Sequence, residues 1–538
     1  MLKIPPYSQI TKTLSPSEKV GQLFMPAAFI NDSEEEIRRL ESLIRRANIG
    51  GLCFFHSRAS AATNFEGPRE VVYNANSLQT LKKLIIRYQE AASIPLLISM
   101  DAEWGLAMRI ENCRQFAYAI TLGAIREQDD LIEEVGRDIA LDCLQAGIHW
   151  NFAPVADINQ NPDNPVIGYR SFGENREKVS NKAISYMKGM QSMGLLSCAK
   201  HFPGHGDTAT DSHLGLPVIQ KNLNDLKFNE LYPFKQMIRE GVDAVMVGHL
   251  AVPALTPGKT ESASVSKSII QELLRQHLGF TGAVVSDALN MHSVSRLFPE
   301  AGQLEWEAFN AGNDILCFAE NLEEGIKAIL NKSTKSRIEA SFKRLWNLKQ
   351  KAMSHPFSGT LETTTQVPLL KRLAQASLTL LKGKEAVFDE FRRNPFTLWE
   401  VTTSPGQVFP NLLVKECEAA IKHLMQPTEM NPTLPDAQGR RILIALYPPS
   451  IKPPNNFGHS KQVLTFLNQL IRKNEVLLYN FGNPYVMDSL DMARVKAVVQ
   501  VYQDFPVFQE NAAAHFLGRS KAEGVLPITL KNSPYENV

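Results

Sequence analysis

Over its first two thirds the chain alternates between two patterns. Short, mainly apolar runs of four to six residues recur at Gln22–Met25, Gly51–Phe55, Pro95–Met100, Ile148–Ala153, Leu196–His201, Ala244–Gly248, Ala283–Ser286 and Asp314–Phe318. Runs of that length, apolar on both faces, suit the buried strands of a parallel sheet. Between them lie stretches with helical periodicity, among them Glu34–Ala47, Ser77–Ala92 and Asp129–Ala146. Eight strand–helix repeats predict an α/β fold, a (β/α)8 TIM-type barrel assigned to residues 1–352. The pattern changes after the helix predicted at Lys335–Ala352. A polar, Thr- and Pro-bearing stretch reads as a linker over 353–368. Residues 369–538 carry further strands, predicted at Leu378–Leu381, Phe396–Val401, Ile442–Tyr447, Val476–Tyr479 and Val495–Tyr502, and read as a smaller sandwich with an open sheet.

Composition narrows the class. The chain has 538 residues, 44% hydrophobic and 21% charged, with a formal net charge of +1. That is a globular balance, and it offers no field toward nucleic acid or an acidic membrane. The six cysteines are scattered with no CxxC pair, and Cys53, Cys143, Cys198 and Cys317 sit in or beside apolar runs. They are expected to be buried free thiols of a reducing compartment. The N-terminal residues lack an apolar signal core, and no stretch is apolar enough for a membrane span, so a cytoplasmic protein is expected.

The chemistry-bearing residues follow the apolar runs. Asp101, Asp157, Lys200, His201, His249 and Asp287 all fall at predicted strand ends, where barrel enzymes assemble their sites. The densest segment is Lys200–Pro217, KHFPGHGDTATDSHLGLP, whose glycines and prolines mark a shaped loop. Asp211 and His213, two apart, can share one side of an extended loop, where a carboxylate would orient an imidazole for proton transfer. The same loop also admits a metal reading through His201, His205, Asp207 and His213, or a purely structural one. Asp287 ends the run GAVVSD and is either a helix cap or a carboxylate nucleophile. Double displacement at a sugar needs such a carboxylate and a proton donor at the glycosidic oxygen. Asp101, Arg109 and Arg170 carry groups suited to sugar hydroxyls.

Together these segments resemble glycoside hydrolase family 3, in particular its bacterial β-N-acetylglucosaminidase branch of peptidoglycan recycling. The resemblance runs from Ser15 to about Lys349 and continues more weakly into an αβα sandwich. It implies Asp287 as nucleophile and His213, paired with Asp211, as general acid/base. It also implies Asp101, Arg109, Arg170, Lys200 and His201 as sugar-binding residues, with no metal and no cofactor. The expected substrate is a small saccharide or muropeptide. Two departures stand out: the third-strand motif reads Asp101-Ala102-Glu103-Trp104-Gly105-Leu106 where Asp-Gln-Glu-Gly-Gly-Arg is usual, and Asp287 is followed by Ala288 rather than a second Asp. Alternatives on this scaffold are a β-N-acetylglucosaminide phosphorylase, a β-glucosidase or, in another class, a non-catalytic saccharide-binding protein.

Overall fold

A computed structural model describes residues 4–57, 72–208, 215–354, 367–425 and 439–531. The chain forms two compact units. One comprises Met1–Phe116, Ile132–Ile158 and Val179–Glu362, the other Ala117–Leu131, Asn159–Lys178 and Thr363–Val538.

The strands of the first unit are β1 (Phe24–Met25), β2 (Ala27–Phe29), β3 (Gly51–Phe55), β4 (Leu97–Met100), β5 (Trp150–Asn151), β6 (Cys198–Phe202), β7 (Ala244–Val247), β8 (Ala283–Ser286) and β9 (Leu316–Cys317). Each of the eight apolar runs contains or overlaps one of them. All ladders are parallel: β2-β3-β4-β5, β6-β7-β8 and β1-β9. Isolated parallel bridges link the ladders, Trp150↔Leu196 and Val155↔Lys200 between β5 and β6, Val285↔Ile315 between β8 and β9. Gly50 N donates to Phe24 O at 3.2 Å and Cys53 N to Pro26 O at 3.0 Å, which sets β1 beside β3 as well as β9. Pro26, which has no N–H to give a ladder, separates β1 from β2; a Cβ on Gly51 would sit 2.3 Å from Leu97 O, so only glycine fits there.

The intervening helices follow from their sequence signals. Glu34–Ala47 starts at Ser33, whose Oγ accepts from Glu36 N at 3.3 Å while the Glu36 carboxylate accepts from Ser33 N at 2.8 Å. Acids fill its first turn, Arg45 and Arg46 its last, in accord with the helix dipole. Ile37, Leu40, Ile44 and Ala47 form its buried stripe.

The second unit is built on a six-stranded mixed sheet. Its strands are β10 (Thr379–Lys382), β11 (Phe396–Thr402), β12 (Ala419–Met425), β13 (Arg441–Leu446), β14 (Glu475–Asn480) and β15 (Ala497–Gln500). They lie in the order β10-β15-β14-β13-β11-β12, with only β10 antiparallel. Sequence pattern misses β12 because it is an edge strand whose exposed Lys422 and His423 break the apolar run. Of the predicted linker 353–368, residues 355–366 lie outside the described residues.

All six cysteines are unpaired, and Cys53, Cys143, Cys198 and Cys317 are buried. No described helix is long and apolar enough to cross a membrane.

Candidate active site

The site of the first unit is assembled from the ends of β4, β6, β7 and β8. Asp101 directly follows β4. A short 3-10 turn at Leu106–Met108 brings the chain back, so that Arg109 Nη2 donates to Asp101 Oδ2 at 3.1 Å. Gly105 makes that return possible: its φ is +91°, and a Cβ there would lie 2.8 Å from the Phe116 ring. The Arg109 guanidinium rests 3.7 Å from the centroid of Phe55, the last residue of β3.

Lys200, in the middle of β6, is only 1% exposed. Its Nζ lies 2.7 Å from Asp101 Oδ1 and 2.6 Å from Glu103 Oε1. Burial alone would raise the Asp101 carboxyl, but the Lys200 and Arg109 cations hold it below the usual carboxylate range. Asp101, Glu103, Lys200 and Arg109 thus form one polar cluster around the buried Lys200, with both charge signs balanced.

Next along β6, His201 Nδ1 is 2.7 Å from Asp157 Oδ2, and the backbone N–H of His205 donates to Asp157 Oδ1 at 2.7 Å. The His201 N–H also faces both Asp157 oxygens at 3.2 Å. Against the upward push of burial, His201 and His205 keep Asp157 on the acidic side of its ordinary value. His205 Nδ1 meets Thr208 Oγ1 at 2.8 Å, and burial together with the His201 charge pushes this imidazole down to about 4. Asp157 therefore ties the start of the His-rich loop to the end of the preceding strand.

Asp287 follows β8. Its backbone N–H donates to Val247 O at 2.9 Å, and its Oδ1 accepts from Ala288 N at 2.8 Å. The next helix begins only at His292 with Met291 in the capping position, so Asp287 does not cap it. Burial would raise this carboxyl, yet His249, His201, the Ala288 N–H and Lys200 together bring it down to about 2. An ionised carboxylate at a half-buried strand end near Lys200 is suited to attack an electrophilic carbon.

Asp101, Arg109, Lys200, His201 and Asp287 thus all lie within the first unit, and Lys200, paired with Asp101, also acts on Asp287. Arg170 belongs to the second unit. It ends a single 3-10 turn, Gly168–Arg170, and its Nη1 donates to Val166 O at 3.2 Å. Asp211 and His213 lie outside the described residues. Three further residues enter the site: Glu103, Asp157 and His249. The sequence places Asp157 and His249 at strand ends without giving them a role, and Glu103 three residues beyond an apolar run. Of the residues in the metal reading, Asp207 is 3.0 Å from Lys221 Nζ, and no three His, Cys, Asp or Glu side chains gather into a metal-binding group among the described residues.

Several known proteins are similar to this chain. The sequence profile of the glycosyl hydrolase family 3 N-terminal domain matches residues 16–348. A β-hexosaminidase A of Pseudoalteromonas piscicida is 32% identical over 377 residues, covering 64% of this chain and 61% of that relative. A β-N-acetylglucosaminidase/β-glucosidase of Cellulomonas fimi is 25% identical over 552 residues, covering 95% of this chain and 93% of its own. Among solved structures, a family 3 β-N-acetylglucosaminidase from Paenibacillus sp. superposes with a TM-score of 0.75 at 27% identity, covering 96% of this chain and 99% of that one. The profile spans well over half of the sequence and every described residue of the Asp101–Asp287 site, and the chain accordingly belongs to glycosyl hydrolase family 3.

Proposed function

We propose that the protein is a retaining, exo-acting β-N-acetylglucosaminidase (β-N-acetylhexosaminidase) that removes terminal β-linked N-acetylglucosamine, with peptidoglycan fragments as the natural source. The observation that carries the reading is Asp287: a carboxylate at a strand end, held down to about 2 by His249, His201 and Lys200 against its burial. In the proposed cycle Asp287 attacks the anomeric carbon while His213, paired with Asp211, gives its proton to the leaving oxygen. The bond to the aglycone breaks as the glycosyl-aspartate forms. His213 then takes a proton from water, and the water oxygen displaces Asp287 with the β configuration kept. Asp101, Arg109, Lys200 and His201 hold the sugar. The Asp101–Lys200–Arg109 cluster supports this: its ions are fixed to one another in advance, so binding a hydroxyl requires little reordering. No step requires a metal or cofactor.

The finer fold belongs to the same proposal. The parallel ladders run from β1 through β9, β8, β7, β6, β5, β4 and back to β3 beside β1, which supports a (β/α)8 barrel within residues 1–352. The sheet after residue 368 supports an αβα sandwich. Unpaired cysteines throughout support a reducing, cytoplasmic setting.

The test is release of p-nitrophenol from the β-N-acetylglucosaminide and the β-glucoside, with and without phosphate. Phosphate-independent release from the N-acetylated substrate is expected. In Asp287→Ala turnover should fall by roughly 10⁴-fold or more; near-normal activity in that variant would refute the nucleophile. Release that requires phosphate would make the enzyme a phosphorylase, and preference for the glucoside would remove the N-acetyl specificity.

A further inference from the structure

His249 is a fully buried titratable group that neither exchanges a proton nor holds the sugar in the reaction above. It lies two residues beyond β7. Its Nε2 is 2.9 Å from the Ala288 carbonyl oxygen, and its Nδ1 is 2.7 Å from Ser264 Oγ. A carbonyl can only accept, so Nε2 carries the hydrogen and donates it. Ser264 is itself fixed: its Oγ lies 3.0 Å from Ser262 Oγ, and its carbonyl accepts from Asn313 Nδ2 at 2.8 Å. The imidazole is therefore held from behind on one nitrogen and presents the other to the backbone beside the nucleophile.

Ala288 is tied at both of its backbone polar atoms. Its carbonyl is held by His249, and its N–H donates to Asp287 Oδ1 at 2.8 Å. Rotation of Ala288 to break one bond would disturb the other.

We propose that His249 is a positioning residue for Asp287: its Nε2–H fixes the Ala288 carbonyl, and the Ala288 N–H in turn fixes one oxygen and hence the rotamer of the attacking carboxylate. The proposal rests on Asp287 being the nucleophile. It accounts for a buried histidine that touches the peptide next to the reacting group rather than the group itself. Among the charges acting on Asp287, that of His249 is also the foremost of those opposing the effect of burial.

The test uses p-nitrophenyl β-N-acetylglucosaminide with His249→Gln, His249→Asn and Ser264→Ala. The amide nitrogen of Gln reaches the place of imidazole Nε2, whereas that of Asn reaches only the place of Nδ1. His249→Gln is expected to keep kcat within about tenfold of the parent, and His249→Asn to lose on the order of 10²-fold, as misplacement by about 1 Å does, with KM changed only a few-fold. Ser264→Ala should fall between them. Equal kcat in folded Gln and Asn variants, or a loss confined to KM, overturns the proposal. Should His249→Asn fail to fold, His249→Gln decides alone: retained kcat supports the positioning role, and a loss beyond about 10²-fold in the folded variant removes it. Activity in Asp287→Ala would instead strike the nucleophile reading; an inactive Asp287→Ala beside a fully active His249→Asn would strike only the role of His249.

Discussion

Replacing Lys200 with Met leaves Asp101 and Glu103 with no ammonium between them. In the parent the Nζ lies 2.7 Å from one carboxylate and 2.6 Å from the other, at 1% exposure. At an effective dielectric of about 20 each contact is worth roughly 6 kcal/mol of Coulomb attraction, most of it offset by the desolvation of the ions. Met fills a similar volume but supplies no charge. Removing one partner from a largely buried ion cluster costs up to about 3–5 kcal/mol, because Asp101 and Glu103 lose their shared counter-charge while Asp101 keeps only Arg109 of its two cations. That corresponds to a fall in the melting temperature on the order of 10 °C. The pH dependence carries the sharper test. In the parent Asp101 is held below its ordinary value, so its stabilisation is present above the unfolded pKa and is lost as pH falls through the folded one. In Lys200→Met burial persists and of the two opposing cations only Arg109 remains, so the carboxyl is expected to rise above its unfolded value. The folded variant then gains protons before the unfolded chain does, so its deficit shrinks on acidification. Calorimetry from about pH 7.5 to about pH 4.5 should show the two stability curves converging, and Lys200→Met/Glu103→Gln should recover part of the loss at neutral pH. A deficit under about 1 kcal/mol, or one that stays constant with pH, would refute the balanced cluster.

Two further outcomes follow from the same geometry. Asp157→Asn keeps the shape but offers one acceptor oxygen where two now serve His201 and His205; kcat/KM should fall roughly 10–100-fold and stability by about 1–3 kcal/mol, measured by steady-state kinetics and denaturant titration. Lys349 is fully buried, with Nζ donating to Gln22 Oε1 at 2.7 Å and Pro95 O at 2.8 Å, and burial pushes it down to about 7. The unfolded chain then binds more protons than the folded one between about pH 7 and about pH 10.4, so parent stability should climb with pH across that window, and Lys349→Met should flatten the climb.

The apolar runs were legible because strands buried on both faces leave no room for polar alternation, as Leu97–Met100 and Ala244–Val247 show with every residue buried. Where that condition lapses the pattern goes silent. β12 is an edge strand with exposed Lys422 and His423, and β2 follows a proline that divides one apolar stretch in two. Asp101, Lys200 and Asp287 could be found from their place after or within such runs. The importance of Asp157 and His249 could not, since each acts through contacts with residues far along the chain, Asp157 with His201 and His205, His249 with Ser264 and Ala288. Nor does sequence order show that Arg170 groups with the C-terminal unit, because that unit draws its segments from three separate parts of the chain.

That last feature bears on how the chain can be made. Tyr118 N and Thr121 Oγ1 both donate to Gln503 Oε1, across 385 and 382 residues, and Asn159 Nδ2 donates to Tyr485 OH across 326. At roughly 5–20 residues per second a ribosome needs on the order of 20–80 seconds between Tyr118 and Gln503. Throughout that interval the segments Ala117–Leu131 and Asn159–Lys178 have left the tunnel before their partners exist. The nascent chain must therefore carry two unfinished stretches past the completion of its N-terminal strands. A stop codon placed just after the predicted linker would strand them permanently, so the two halves of this sequence are not separable parts.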